Sequence, residues 1–302
     1  MASLGEFEMD ASIWLVCGLI PATIVLAACL LADRRSDLSV SRHPGFAITA
    51  SVIGLAWGFA ILAALIGWRI VRGEPWFAVW PDDFWQRGYL PVLMAAALLA
   101  PLTGIAWRDS GGRWVIAGLL AMLTATISLP TGEGWEDTLA FHRGWGLLLA
   151  TTCLLGFWSC DRLAMRDSDR WFPLVLLASL AGPMFVAATT YSALAEWTMA
   201  AIFATLPAVV LAGCGRLRHG VAVGLAYPVV AFATVMTAAG RFYSYEDHPW
   251  WSYAALLLVG PAVVAIDSLL TGRSQLCRVA TAAVVAIAVT AVGIAVQLLP
   301  TE

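Results

Sequence analysis

Residues Trp171 to Gly213 read WFPLVLLASLAGPMFVAATTYSALAEWTMAAIFATLPAVVLAG, forty-three residues in which Glu196 is the only charge. As a single helix this stretch would extend ~64 Å at 1.5 Å per residue, about twice the ~30 Å hydrocarbon thickness of a bilayer. A helix on the surface of a soluble protein keeps a polar face, and this run has none. The stretch therefore predicts two membrane crossings joined by a tight turn, which Tyr191 to Glu196 would supply.

The same reading extends in both directions. The 302-residue chain is 61% hydrophobic and 12% charged, against about a quarter charged in soluble domains, and its mean hydropathy is +0.82. Ten apolar segments are predicted as helices: 11–32, 46–71, 90–107, 114–130, 144–160, 171–192, 196–214, 220–240, 251–270 and 279–299. Each is near the ~20 residues a crossing needs, which excludes the ~10-residue alternating strands of an outer-membrane barrel. The expected fold is an all-α, polytopic integral membrane protein forming one transmembrane domain over 1–302, with no soluble domain.

Charge orients the segments. All seventeen basic side chains are arginines. Twelve of them (Arg34, Arg35, Arg42, Arg108, Arg113, Arg162, Arg166, Arg170, Arg216, Arg218, Arg273 and Arg278) follow the odd-numbered segments. The opposite face has Arg69, Arg72, Arg87, Arg143 and Arg241, mixed with Glu74, Asp82, Asp83, Glu133, Glu136, Asp137, Glu246 and Asp247. The positive-inside rule then makes the first face cytoplasmic and places both termini outside. Lysine and asparagine are absent, a composition that hints at a GC-rich, bacterial source and hence at a bacterial inner membrane. Leu26-Ala27-Ala28-Cys29 resembles a lipoprotein cleavage box, but the preceding residues are acidic where a signal peptide is basic, so the first segment is read as a retained crossing. The six cysteines avoid the acidic loops, which points away from structural disulfides.

Several segments share a layout running from acid and tryptophan at the outer end to a buried proline. The sharpest pair is EWTMAAIFATLPAVV (Glu196 to Val210) and WWSYAALLLVGPAVV (Trp250 to Val264), in register at an offset of 54, which suggests repeated helical hairpins. Repeat interfaces are where transporters commonly place substrate. Pro21, Pro101, Pro183, Pro207, Pro228 and Pro261 fall inside predicted helices and mark kinks or a pathway, because each removes a backbone donor. Gly54-x-x-x-Gly58 and Gly220-x-x-x-Gly224 permit close packing between helices.

Chemistry-bearing residues are sparse. Glu196, Asp267 and Arg69 are the charges nearest membrane depth, and their places near segment ends predict interfacial side chains. With no chain of buried carboxylates expected, Thr151, Thr152, Thr189, Thr190, Thr205, Thr234 and Thr237 are left to line a path suited to a neutral or amphipathic solute. No histidine sits mid-segment, so bis-histidine haem has no ligands. On the outer face, Glu136, Asp137 and His142, with Glu246, Asp247 and His248, form two acid–histidine groups that would hold a divalent metal if their loops met. No other cofactor is expected. Ten of the fifteen tryptophans fall on that same face, as an aromatic belt or a docking surface.

Neither a phosphate-cradling glycine loop nor a soluble basic patch is present, which excludes nucleotide and nucleic-acid partners. The lipid bilayer is the expected partner, with a second membrane or periplasmic protein as a further one. Three functions fit: a transporter-like protein, a non-catalytic subunit docking a partner outside, or a membrane enzyme with a metal at His142 and His248.

Overall fold

In water-free hydrocarbon each backbone N–H and C=O must find its partner within the protein, so apolar segments become helices. A computed structural model describes residues 11–35, 44–76, 81, 83–102, 111–130, 139–164, 172–215, 220–244, 248–270 and 272–298. The protein is all-helical, with no strand among the described residues.

Among the described residues the helices group into ten segments. Segment α1 joins Ala11–Trp14, a π-helical turn Leu15–Leu19 and Ile20–Arg35, and α2 is Pro44–Val71. Segment α3 joins a 3-10 turn Phe84–Gly88, Tyr89–Met94, a π-helical turn Ala95–Leu99 and Ala100–Leu102. Then come α4 (Gly111–Ser128), α5 (Leu139–Ala164), α6 (Phe172–Thr190), α7 (Ser192–Gly213) and α8 (Val221–Tyr243). A broken α9 (Trp250–Leu257 and Val259–Leu269) and α10 (Gln275–Gln297) complete the set.

Seven of these helices are long and apolar enough to cross a membrane, and α9 is an eighth if its two halves count as one span. Segment α3, divided by its 3-10 and π turns, and α5, which carries Arg143, Asp161 and Arg162, are not among them. The protein is thus a multi-pass helical membrane protein, with seven or eight spans established by length and composition.

The long apolar run with which the sequence reading began does split in two. Its turn is tighter than Tyr191 to Glu196: Tyr191 alone is extended (φ −148°, ψ 125°), and α7 starts at Ser192. The Tyr191 carbonyl accepts from Leu194 N at 3.1 Å and Ala195 N at 3.3 Å, so the new helix winds at once. Glu196 therefore belongs to the second turn of α7.

Helix α8 is the hub. Within its most apolar window 94% of residues are buried, against 22% in α10, which lies at the periphery. Helices α2 to α7 and α9 all pack on α8. Contact with α2 is close because glycines face each other: a Cβ on Gly54 would stand 2.8 Å from the Gly224 carbonyl oxygen, and one on Gly224 would stand 2.4 Å from that of Ala50. Around this core, side chains such as Leu147, Ile287 and Leu269 face outward, as lipid contact requires.

The prolines act in different ways. Pro21 and Pro101 each follow a π turn, whose widened bonds run from Ile20 N to Leu15 O and from Ala100 N to Ala95 O. Proline has no N–H for the usual i−4 bond, and the extra residue per turn re-registers the ladder ahead of it. Pro183, Pro207 and Pro228 sit inside continuous helices. Pro261 stands just beyond Leu258, where α9 bends by 57°. The paired prolines of the offset-54 match, Pro207 and Pro261, thus have unlike geometries.

Candidate functional site

The charges that the sequence places nearest membrane depth are paired within the bundle. Glu196 is 3% exposed; it accepts from Trp68 Nε1 at 2.5 Å and from Arg72 Nη2 at 2.5 Å. Asp267 is buried and takes Arg278 through both Nε (2.7 Å) and Nη2 (2.6 Å) across the α9–α10 turn. Arg69 is half-buried, donating to the Pro75 carbonyl at 2.7 Å and to Gln86 Oε1. The physical reason is common to all three: a charge leaving water needs a partner, and helix ends from other segments supply one.

A cluster that sequence reasoning missed lies at the arginine-rich end. Arg113 on α4, placed by the sequence among the arginines that follow odd-numbered segments, and Asp161 on α5 form a buried ion pair. Arg113 also donates to the Tyr227 hydroxyl on α8 at 2.5 Å, and that hydroxyl lies 3.3 Å from Asp161 Oδ1. Three helices are tied together here, beside Cys160. The separations of 48 and 66 residues along the chain give no local signal of the contact.

Next to this cluster a small cavity of about 30 Å³ lies between α5, α6, α8 and α9. Its arginine-rich end is bounded by Leu163 and Phe172, which flank residues 165–171. Thr152, Leu256 and Leu257 also line it. The bend of α9 roofs it, and Pro261, without an N–H, leaves the Leu257 carbonyl without the donor an unbroken helix would give it. A second crevice, too tight to hold a water molecule, shares Thr152 and Leu257 with the first and continues to Trp145 and Tyr253. On α5 the combined seam runs from Trp145 to Leu163, or ~27 Å at 1.5 Å per residue. At its far end the Arg241 guanidinium lies 5.7 Å from the Trp145 ring and 5.8 Å from the Tyr253 ring, an aromatic–cation plug.

Of the expected hydroxyls, Thr152 and Thr234 line the cavity and Thr237 lines the tighter space, where its buried Oγ1 has no hydrogen-bond partner. Thr205 instead accepts from Trp57 Nε1 at 3.1 Å, and Thr151 is exposed. Thr189 and Thr190 bond their own helix near its end. None of the six prolines is among the lining residues, although Pro261 follows Gly260, which is, and Glu196 lies away from the lining.

Of the outer acid–histidine groups, Glu136, Asp137, Glu246 and Asp247 lie outside the described residues, as does the side chain of His142 in the first turn of α5. His248 is buried just ahead of α9. Among the described residues no three histidine, cysteine or acidic side chains are gathered so as to hold a metal. All six cysteines are free, Cys214 and Cys277 exposed and the rest buried.

Fold and cavity together define a multi-pass helical membrane protein with a partly open interior seam. Against protein-family models, curated proteins and solved structures, the chain shows no match.

Proposed function

We propose that the chain is a ten-crossing protein of a bacterial inner membrane, both termini outside, that moves a small neutral or amphipathic solute along the seam between α5, α8 and α9. One observation carries this reading: a hydroxyl-bearing cavity sits where α9 is broken, and broken helices lining a midplane site are how transporters expose backbone to a solute. The cavity adjoins a tighter crevice that reaches Trp145 and Tyr253.

Reconstituted protein is expected to accelerate flux of some members of a panel of neutral and amphipathic solutes. Gly260→Leu, which adds bulk toward Ser159, where a Cβ would already stand 3.3 Å from the Ser159 Cβ, is expected to abolish that flux without unfolding the protein. Rates equal to those of empty liposomes across the panel would refute transport. For orientation, a reporter fused after Gly134 is expected to be extracytoplasmic, and a cytoplasmic signal would reverse the topology.

A second reading, a membrane subunit that docks a partner outside, draws on exposed Trp14, Trp76, Trp250 and Trp251 near one end of the bundle. Crosslinking in native membranes that returned the lone chain would remove its support.

A further inference from the structure

The break in α9 takes backbone groups out of their helical ladder. The first half ends at Leu257, where Leu258 N turns back to Ala255 O at 3.0 Å. The second half begins at Val259, with Ala262 N bonded to Leu258 O at 2.9 Å. The first N–H groups and the last C=O groups of a helix have no partner within it. Here those are the amides of Val259 and Gly260 and the carbonyls of Leu256 and Leu257, and no backbone group among the described residues takes them up. Leu258, at the N-cap, has no side-chain oxygen for an amide, and Pro261 has no N–H for the Leu257 carbonyl. Midway along a segment surrounded by hydrocarbon, such groups are costly to leave unmet.

The small cavity lies against this break. Leu256, Leu257 and Gly260 line it together with Ser159, whose Oγ is 3.6 Å from where a Cβ on Gly260 would stand. Its volume of about 30 Å³ suits about one or two water molecules, each needing roughly 10–15 Å³. Ser159 Oγ donates to Leu155 O at 2.6 Å and Thr234 Oγ1 to Val230 O at 2.9 Å, so both face the cavity with acceptor capacity left. Thr237, whose buried hydroxyl has no hydrogen-bond partner, lines the adjoining crevice with the same Leu257. Amides that only donate stand beside carbonyl and hydroxyl oxygens that accept. A cation would suit the oxygens and oppose the amides, whereas water answers both. We propose that the break in α9 is a hydration site, where ordered water accepts from the Gly260 amide and donates to the Leu257 carbonyl and Ser159 Oγ, and so keeps the helix bent. This goes beyond the transport reading, since the water is held whether or not a solute moves.

The chain has three Val–Gly pairs, ending at Gly224, Gly260 and Gly293. Labelling valine carbonyls with 13C and glycine amides with 15N therefore isolates three amides in solid-state NMR of the protein in liposomes, and the Gly260 signal is the one that Gly260→Ala removes. Gly224 N is bonded to Gly220 O at 2.9 Å and Gly293 lies inside the continuous α10, both buried, which makes them dry references. Magnetisation passed from water is expected to reach the Gly260 amide several times faster than either reference. Ser159→Ala, checked for an unchanged melting temperature, is expected to slow that transfer by up to about fivefold, the worth of one neutral hydrogen bond. Thr234→Val, equal in shape, takes its place if Ser159→Ala does not fold. Transfer at Gly260 as slow as at the references, or unaltered when the cavity hydroxyl is removed, would overturn the proposal. A hydrated Gly260 in a protein that supports no flux defeats the transport reading alone.

Discussion

Arg113 shows what a single buried charge does in this bundle. It is 2% exposed, faces Asp161 and Tyr227, and lies 6.0 Å from the Tyr227 ring centroid. Removing one member of such a pair leaves the other charged and desolvated, a loss of about 3–5 kcal/mol. Asp161→Leu is therefore expected to lower the melting temperature sharply, and Arg113→Met combined with Asp161→Leu to restore most of it; a double variant as unstable as the single one would refute the pairing argument. Glu196 differs because its partner Arg72 is 43% exposed and can return to water. Glu196→Gln keeps an acceptor for Trp68 Nε1 and is expected to be mild. Glu196→Leu strands that indole donor and is expected to cost about 1–3 kcal/mol, read by thermal unfolding in detergent. Equal effects of the two substitutions would show that the hydrogen bond contributes nothing. The sequence marked Glu196 and Asp267 as unusual, since each stands in a long apolar run. It had no means of marking Arg113 and Asp161, which look like ordinary segment-end charges until α4 and α5 are packed.

At the scale of the element, proline positions were legible but their consequences were not. Pro21 and Pro101 are absorbed by π turns, Pro207 by a continuous helix, and Pro261 by a 57° bend. What differs is the surroundings: α7 has 67% of its apolar window buried and is held straight by neighbours on several sides, whereas the second half of α9 leans over a cavity. If Pro261 sets the bend, Pro261→Ala restores the missing N–H and straightens α9. An unbroken helix from Trp250 to Leu269 would extend ~28 Å. Spin labels at those two positions, in a background without the native cysteines, are expected to move apart by roughly 4 Å, the straightening of two such halves at 1.5 Å per residue. An unchanged distance would assign the bend to packing instead.

Across the whole molecule, helix approach is set by which residues lack a side chain at the crossing with α8. A Cβ added at Gly224 would meet the α2 backbone itself, 2.4 Å from the Ala50 carbonyl oxygen, so nothing flexible can yield. Gly118 on α4 has open space where its Cβ would lie. Gly224→Val is expected to prevent assembly of a monodisperse protein in detergent. Gly118→Ala should be neutral or stabilising by up to about 1 kcal/mol, because alanine favours helix. Comparable behaviour of the two in size-exclusion chromatography would argue against α8 as the organising helix. The Gly-x-x-x-Gly spacing announced a close approach, yet left open that Gly54 and Gly224 would find each other.

The sequence by itself determined that this is a helical membrane protein and roughly where its segments lie, because hydrocarbon forces a chain to satisfy its own backbone and local composition reports that directly. Of the seven threonines the sequence offers as polar groups, Thr152 and Thr234 line the cavity and Thr237 the crevice beside it, while Thr151, Thr189, Thr190 and Thr205 lie elsewhere. Only the tertiary structure decided that α8 is the centre, that the buried carboxylates are matched with arginines from other segments, and that the break in α9 opens a cavity beside them. Those are contacts between residues far apart in the chain, and they depend on how side chains of particular shape and charge fit when the helices pack, which no single segment encodes.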